Sequence, residues 1–217
     1  MISLRPHFRQ AIQVKGALVF LVSQACVSSA ILHAQPFRTS IVFFAEPQVQ
    51  INDEFWPALF QSLREDLASG SAELPEGVLL DPQPVLLRGW DLRTGIEAPH
   101  IIQVRLLGRC DVLPQADHHL RPGPLGWVLQ VSGEIQPFIF VDCTRLAQVI
   151  DPAVLRLDNE GRQQAMTQAI AHVLIHEWIH IATQSASHRP DGITRASLSV
   201  GELIASPRKD RMFSASR

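Results

Sequence analysis

The segment from Asn159 to Gln184 constrains this chain more than any other. It reads NEGRQQAMTQAIAHVLIHEWIHIATQ. Asn159 can cap a helix that starts at Glu160 and runs to about Gln184. Met166, Ile170, Val173, Leu174 and Ile181 fall on one stripe of that helix, the stripe a helix buries. A helix this long matches the diameter of a small domain, so the rest of the fold must pack around it. His172, His176 and His180 recur every fourth residue and therefore share a second face.

The stretch His176-Glu177-Trp178-Ile179-His180 has the form HExxH. Two imidazoles one turn apart can grip one metal ion, and the glutamate between them reaches the open coordination position. There Glu177 can take a proton from water bound to the ion, whose charge draws the water's pKa towards ~7. His172 stands two turns before His180, about 12 Å along the axis, too far to share the same ion. A catalytic zinc takes three protein ligands and leaves a fourth position for water. His188 ranks first as the third ligand, because a short loop can fold it back and Gly192 lets the chain turn sharply. Glu202 and Asp191 are the alternatives.

The remaining elements suggest an α+β domain with a mainly antiparallel sheet. Strands are expected over 40–45 and 100–108, and a hairpin over 126–131 and 135–141. Asn52-Asp53 can cap an earlier helix from Glu54 to about Ala68, with Phe55, Leu59, Leu63 and Leu67 on one face. Residues 72–98 and 113–125 read as loops, the latter carrying His118-His119, and Asp151-Pro152 as the start of a short helical turn or loop.

The first 34 residues pair a basic start (Arg5, Arg9, Lys15) with the apolar run Ala17–Val22 and a small-residue close at Ala34. That is the pattern of a secretory signal peptide, and the run is too short to span a bilayer. The organisation expected is therefore a signal peptide over 1–34, one domain over 35–205 and a solvated tail over 206–217. Cys26 leaves with the signal, and Cys110 and Cys143 remain. Both follow strand-like runs, so a disulfide in a secreted or periplasmic protein is expected. The net charge of −2 and the lack of a long basic run argue against a nucleic-acid partner. There is no tyrosine in the chain, so a phenol cannot stabilise an oxyanion. Arg189, Arg195 and His172 are the nearby substitutes.

The motif His176 to His180 resembles the signature of zincin metallopeptidases. Thr183 and Ala186 stand where the metzincin branch has its glycine and third histidine, and only Glu202 fits the glutamate of the gluzincin branch. The stretch His176 to Leu203, with His188 and Gly192, is similar to a group of secreted bacterial zincin-like proteins, as is Leu125 to Cys143. The resemblance implies a zincin-like fold and a Zn2+ site. Zn2+ held by His176, His180 and His188, with Glu177 as general base, makes a hydrolase acting on a peptide or protein substrate the expected function. A zincin-fold metal-binding protein without turnover is the alternative, and a histidine-bearing helix without metal the third reading.

Overall fold

The computed structural model describes residues 39–45, 49, 51–69, 74, 78–89, 100–111, 122–190 and 192–205. The expected signal peptide, the tail over 206–217, His118-His119 and Asp191 lie outside the described residues. The described residues fall within one compact unit, Gln35–Arg217.

Five strands form one sheet: β1 (Thr39–Ala45), β2 (Val85–Arg88), β3 (His100–Leu107), β4 (Gly126–Val131) and β5 (Glu134–Asp142). Their order is β2-β1-β3-β5-β4. The expected mainly antiparallel sheet is corrected here. β1 runs parallel to both β2 and β3, and β3 runs parallel to β5. Among the described residues only β4 and β5 pair antiparallel. The physical reason is the length of the connections. The segment between β1 and β2 carries a whole helix, which is what a parallel crossover needs, whereas a two-residue turn forces an antiparallel pair. That turn is Ser132-Gly133, both with positive φ (53° and 88°), the hairpin geometry expected for the pair. β1 buries Ile41, Val42 and Phe43 in succession, as a strand covered on both faces does.

Four helices accompany the sheet among the described residues. Helix α1 (Phe55–Ser69) is capped by Asn52, whose Oδ1 accepts from Phe55 N at 2.9 Å. It buries Leu59 and Leu63 and packs on the long helix. Helix α2 (Cys143–Val154) was not expected. It starts where Asp142 caps the Arg145 N–H, and it buries Cys143, Leu146, Ala147, Ile150 and Val154. Asp151-Pro152 therefore lies in its last turn and does not open a loop. Cys110 and Cys143 are disulfide-bonded, tying the end of β3 to the start of α2. By loop-closure entropy such a bridge is worth about 4 kcal/mol.

The long helix α3 spans Asn159–Thr183, with Asp158 as its N-cap. It contacts α1, α2, β4, β5 and the short helix α4 (Val200–Ile204). From Ala165 to His180 every residue is buried except His172 and His176, which are half-buried. A helix enclosed on all sides shows little amphipathic contrast, and this one serves as the core against which the other elements pack.

Candidate metal centre

The C-terminal half of α3 meets a loop that folds back over it. The helix ends with Gln184 in the left-handed region (φ 50°, ψ 34°). The Gln184 side chain donates to Ile135 O and accepts from Ile135 N, so the β4–β5 hairpin is fastened to the helix end. The loop then doubles back through Gly192 (φ 71°). Arg189 N donates to Thr194 O at 3.2 Å, and Arg195 N donates to Gly192 O at 3.3 Å.

This return path orients two imidazoles. His180 Nδ1 donates to Ser185 O and His176 Nδ1 donates to Ile193 O, each at 2.6 Å. A carbonyl oxygen can only accept, so both Nδ1 atoms carry the proton and both Nε2 atoms of the neutral rings are acceptors. Those Nε2 atoms lie 3.1 Å apart. With both rings neutral, neither Nε2 can donate to the other, and a proton or a metal ion between them would satisfy both. The His188 ring converges on the same point, with centroids 5.2 Å from His176 and 5.0 Å from His180. One ligand atom from each of the three rings lies within 4.8 Å of the others, a group able to hold a metal ion. A proton can bridge two nitrogens, and three convergent imidazoles could hold a metal ion. Nitrogens 2.0–2.1 Å from one tetrahedral ion would stand about 3.3 Å apart, close to the separation found.

Burial, with the neighbouring imidazoles of His180 and His188 adding to it, pushes His176 down to about 4, so it stays neutral and ready to ligate. The exposed His188 is also shifted down, by partial desolvation and by His180. Burial pushes Glu177 up to about 7. A cation in the cleft would draw it back down.

All four residues line one cleft of about 560 Å³. Its far wall is the start of β4, Gly126 to Val128, with Arg145 and Arg195 also lining it. Gly126 is required there. A Cβ at that position would fall 2.4 Å from Val173 Cγ1 and 3.4 Å from Glu177 Cγ, so any side chain would force β4 away from the helix.

The other site candidates fall elsewhere. Glu202 is exposed and occupied: it closes a capping box with Ser199 and is ion-paired with Arg195, and it does not join the histidines. Asp191 lies outside the described residues. His172 does not line the cleft. Its Nδ1 donates to Leu203 O at 2.8 Å, and its Nε2 lies 3.4 Å from Asp66 Oδ2. Asp66 is 2% exposed and accepts from Gln168 Nε2 through both oxygens. Of the oxyanion candidates, only Arg195 lines the cleft.

Sequence reading missed the Asp66–Gln168–His172 cluster, the carbonyls of Ser185 and Ile193, and the Gln184 clasp. Only the first had a signal: Asp66 falls seven residues after Leu59 and three after Leu63, an acid on an apolar stripe. No protein-family model matches the chain, and no curated protein or solved structure matches it either.

Proposed function

We propose that the protein is a secreted zinc-dependent metallopeptidase of zincin type. The observation that carries this reading is the 3.1 Å approach of two acceptor Nε2 atoms, with a third imidazole converging on them. Three imidazoles with an open fourth position are a donor set that suits zinc. When bound, the ion supplies Lewis acidity to a carbonyl and lowers the pKa of a water beside it.

The chain's own residues supply the rest. The carbonyls of Ser185 and Ile193 fix the tautomers and ring planes of His180 and His176, the outer hydrogen bonds that tune a ligand's basicity. Glu177, next to His176 and lining the same cleft, is the base that takes the proton of the attacking water and delivers it to the leaving amine. Among the described residues β4 is an edge strand, paired only with β5, and it borders the cleft. An extended peptide could pair along its open edge and run past the histidines, which favours peptides as the substrate class. The disulfide is compatible with a secreted or periplasmic protein. No helix among the described residues is long and apolar enough to cross a membrane.

The test is cleavage of a mixed peptide library by the zinc-loaded protein. The reading predicts cleavage that chelation abolishes and zinc restores, and that Glu177→Gln removes. A zinc-loaded wild type that leaves the whole library intact contradicts it.

A further inference from the structure

The cleft presents two cationic side chains, Arg145 and Arg195, and Glu177 is the one acid among its described lining residues. The two arginines are held differently. Arg145 stands in the first turn of α2. Arg195 belongs to the loop that brings in His188, where it forms an isolated bridge with Arg189. Two residues before it, Ile193 O holds His176. The backbone of Arg195 is therefore tied to two of the three converging imidazoles.

Its side chain is held as well. One Glu202 oxygen pairs with Arg195 Nη2, while the other accepts from Ser199 N at 2.8 Å and from Ser199 Oγ at 2.6 Å. These partners hold the Glu202 carboxyl down at about 2, so it stays ionised at neutral pH. Helix α4, which carries Glu202, is fastened to α3 by the bond from His172 Nδ1 to Leu203 O and by the fully buried Leu203 side chain. The guanidinium is thus held in the cleft wall by its neighbours, which is the preorganisation that electrostatic stabilisation of a transition state needs. With no tyrosine in the chain, no phenol can do that work.

We propose that Arg195 is a catalytic residue that donates to the substrate oxygen on which negative charge builds. The proposal rests on the metallopeptidase reading. In the step concerned, the water oxygen bonds to the scissile carbonyl carbon and the carbonyl π pair moves onto the carbonyl oxygen. The water's proton passes to Glu177. The carbon–nitrogen bond then breaks, and that proton leaves on the amine. Arg195 takes no proton in this sequence. Its charge is permanent, and its part is to meet the oxyanion.

Acetate binding to the cobalt-loaded protein, followed by visible absorption, tests this without turnover. A carboxylate at the open coordination position carries negative oxygen into the region where the oxyanion forms. Arg195→Gln should weaken acetate at least about tenfold, the size of one charge-assisted hydrogen bond, with the cobalt spectrum unchanged. Arg195→Lys should retain part of the affinity, and Arg145→Gln should lose less than Arg195→Gln. Equal acetate affinity in wild type and Arg195→Gln, or a greater loss in Arg145→Gln, overturns the proposal and leaves the metal site standing. Loss of the cobalt spectrum in Arg195→Gln also overturns it, because Arg195 is then a structural member of the loop. A wild type that shows no cobalt spectrum overturns the metal reading and the proposal together.

Discussion

Helix α3 carries its histidines in two settings one turn apart, and the settings differ in what faces Nε2. In both, Nδ1 donates to a backbone carbonyl: Leu203 O for His172, Ile193 O for His176 and Ser185 O for His180. In both, the Nε2 so exposed faces a polar neighbour. For His172 the neighbours are the buried Asp66 carboxylate and the Gln168 amide nitrogen, a donor, each at 3.4 Å. For His176 the neighbour is His180 Nε2 at 3.1 Å. Burial raises Asp66 to about 6. Two imidazoles joined by a third form a group that could hold a metal ion. Repetition of one residue type at one spacing therefore yields an interhelical clasp in the first case and a group able to hold a metal ion in the second. The deciding factor is the neighbouring element: α1 brings an acid, and the loop after α3 brings His188.

Each setting has its own buried acid, and substitution should separate them. The largest effect expected is on Glu177→Gln. Hydrolysis should fall about 10²–10⁴-fold, as removal of a general base does, while bound zinc is retained. Zinc lost together with activity would place Glu177 among the ligands and blur the distinction.

His180→Ala and His172→Ala come next. The first should weaken zinc at least about a hundredfold, more than an outer-shell contact costs. The second should leave zinc affinity within about threefold and lower folding stability by about 3 kcal/mol, because the buried Asp66 keeps its Gln168 bonds but loses the adjacent imidazole. Equilibrium zinc titration and urea unfolding of the apo proteins give both numbers. Equal zinc loss in the two variants would break the comparison.

The smallest effect concerns pH. Asp66 has a folded-state pKa of about 6, raised from 3.8 chiefly by burial. The stability it contributes is therefore present below about pH 4 and is lost as pH rises towards 6. Asp66→Asn still accepts from Gln168 but cannot ionise. Its stability relative to wild type should rise between pH 4 and pH 6.5 in denaturant melts. A constant difference across that range would mean that Asp66 ionises as freely as an exposed acid.

Local patterns were legible in the sequence, and long-range pairings were not. The α3 helix, the Asn52 cap of α1 and the β4–β5 hairpin follow from periodicity, capping chemistry and a two-residue turn, all contained within short windows. The parallel pairing of β1 with β2 and β3 is set by crossover geometry that no short window holds. Helix α2 was hidden because Pro152, read as an opening residue, sits in its last turn. The histidine spacing marked the group that could hold a metal ion, and Gly192 marked the fold-back of its loop. The carbonyls that choose the tautomers carry no side-chain signature, so Ser185 and Ile193 could not be read in advance.

The central claim is that His188 completes a metal site with His176 and His180. Zinc content and affinity of the purified mature protein beside His188→Ala test it most directly, read by elemental mass spectrometry and competition with a chelating dye. Stoichiometric zinc in the wild type, with affinity at least about a hundredfold weaker in His188→Ala, is the predicted result. A wild type without zinc, or a His188→Ala variant that holds it as tightly, would contradict the account.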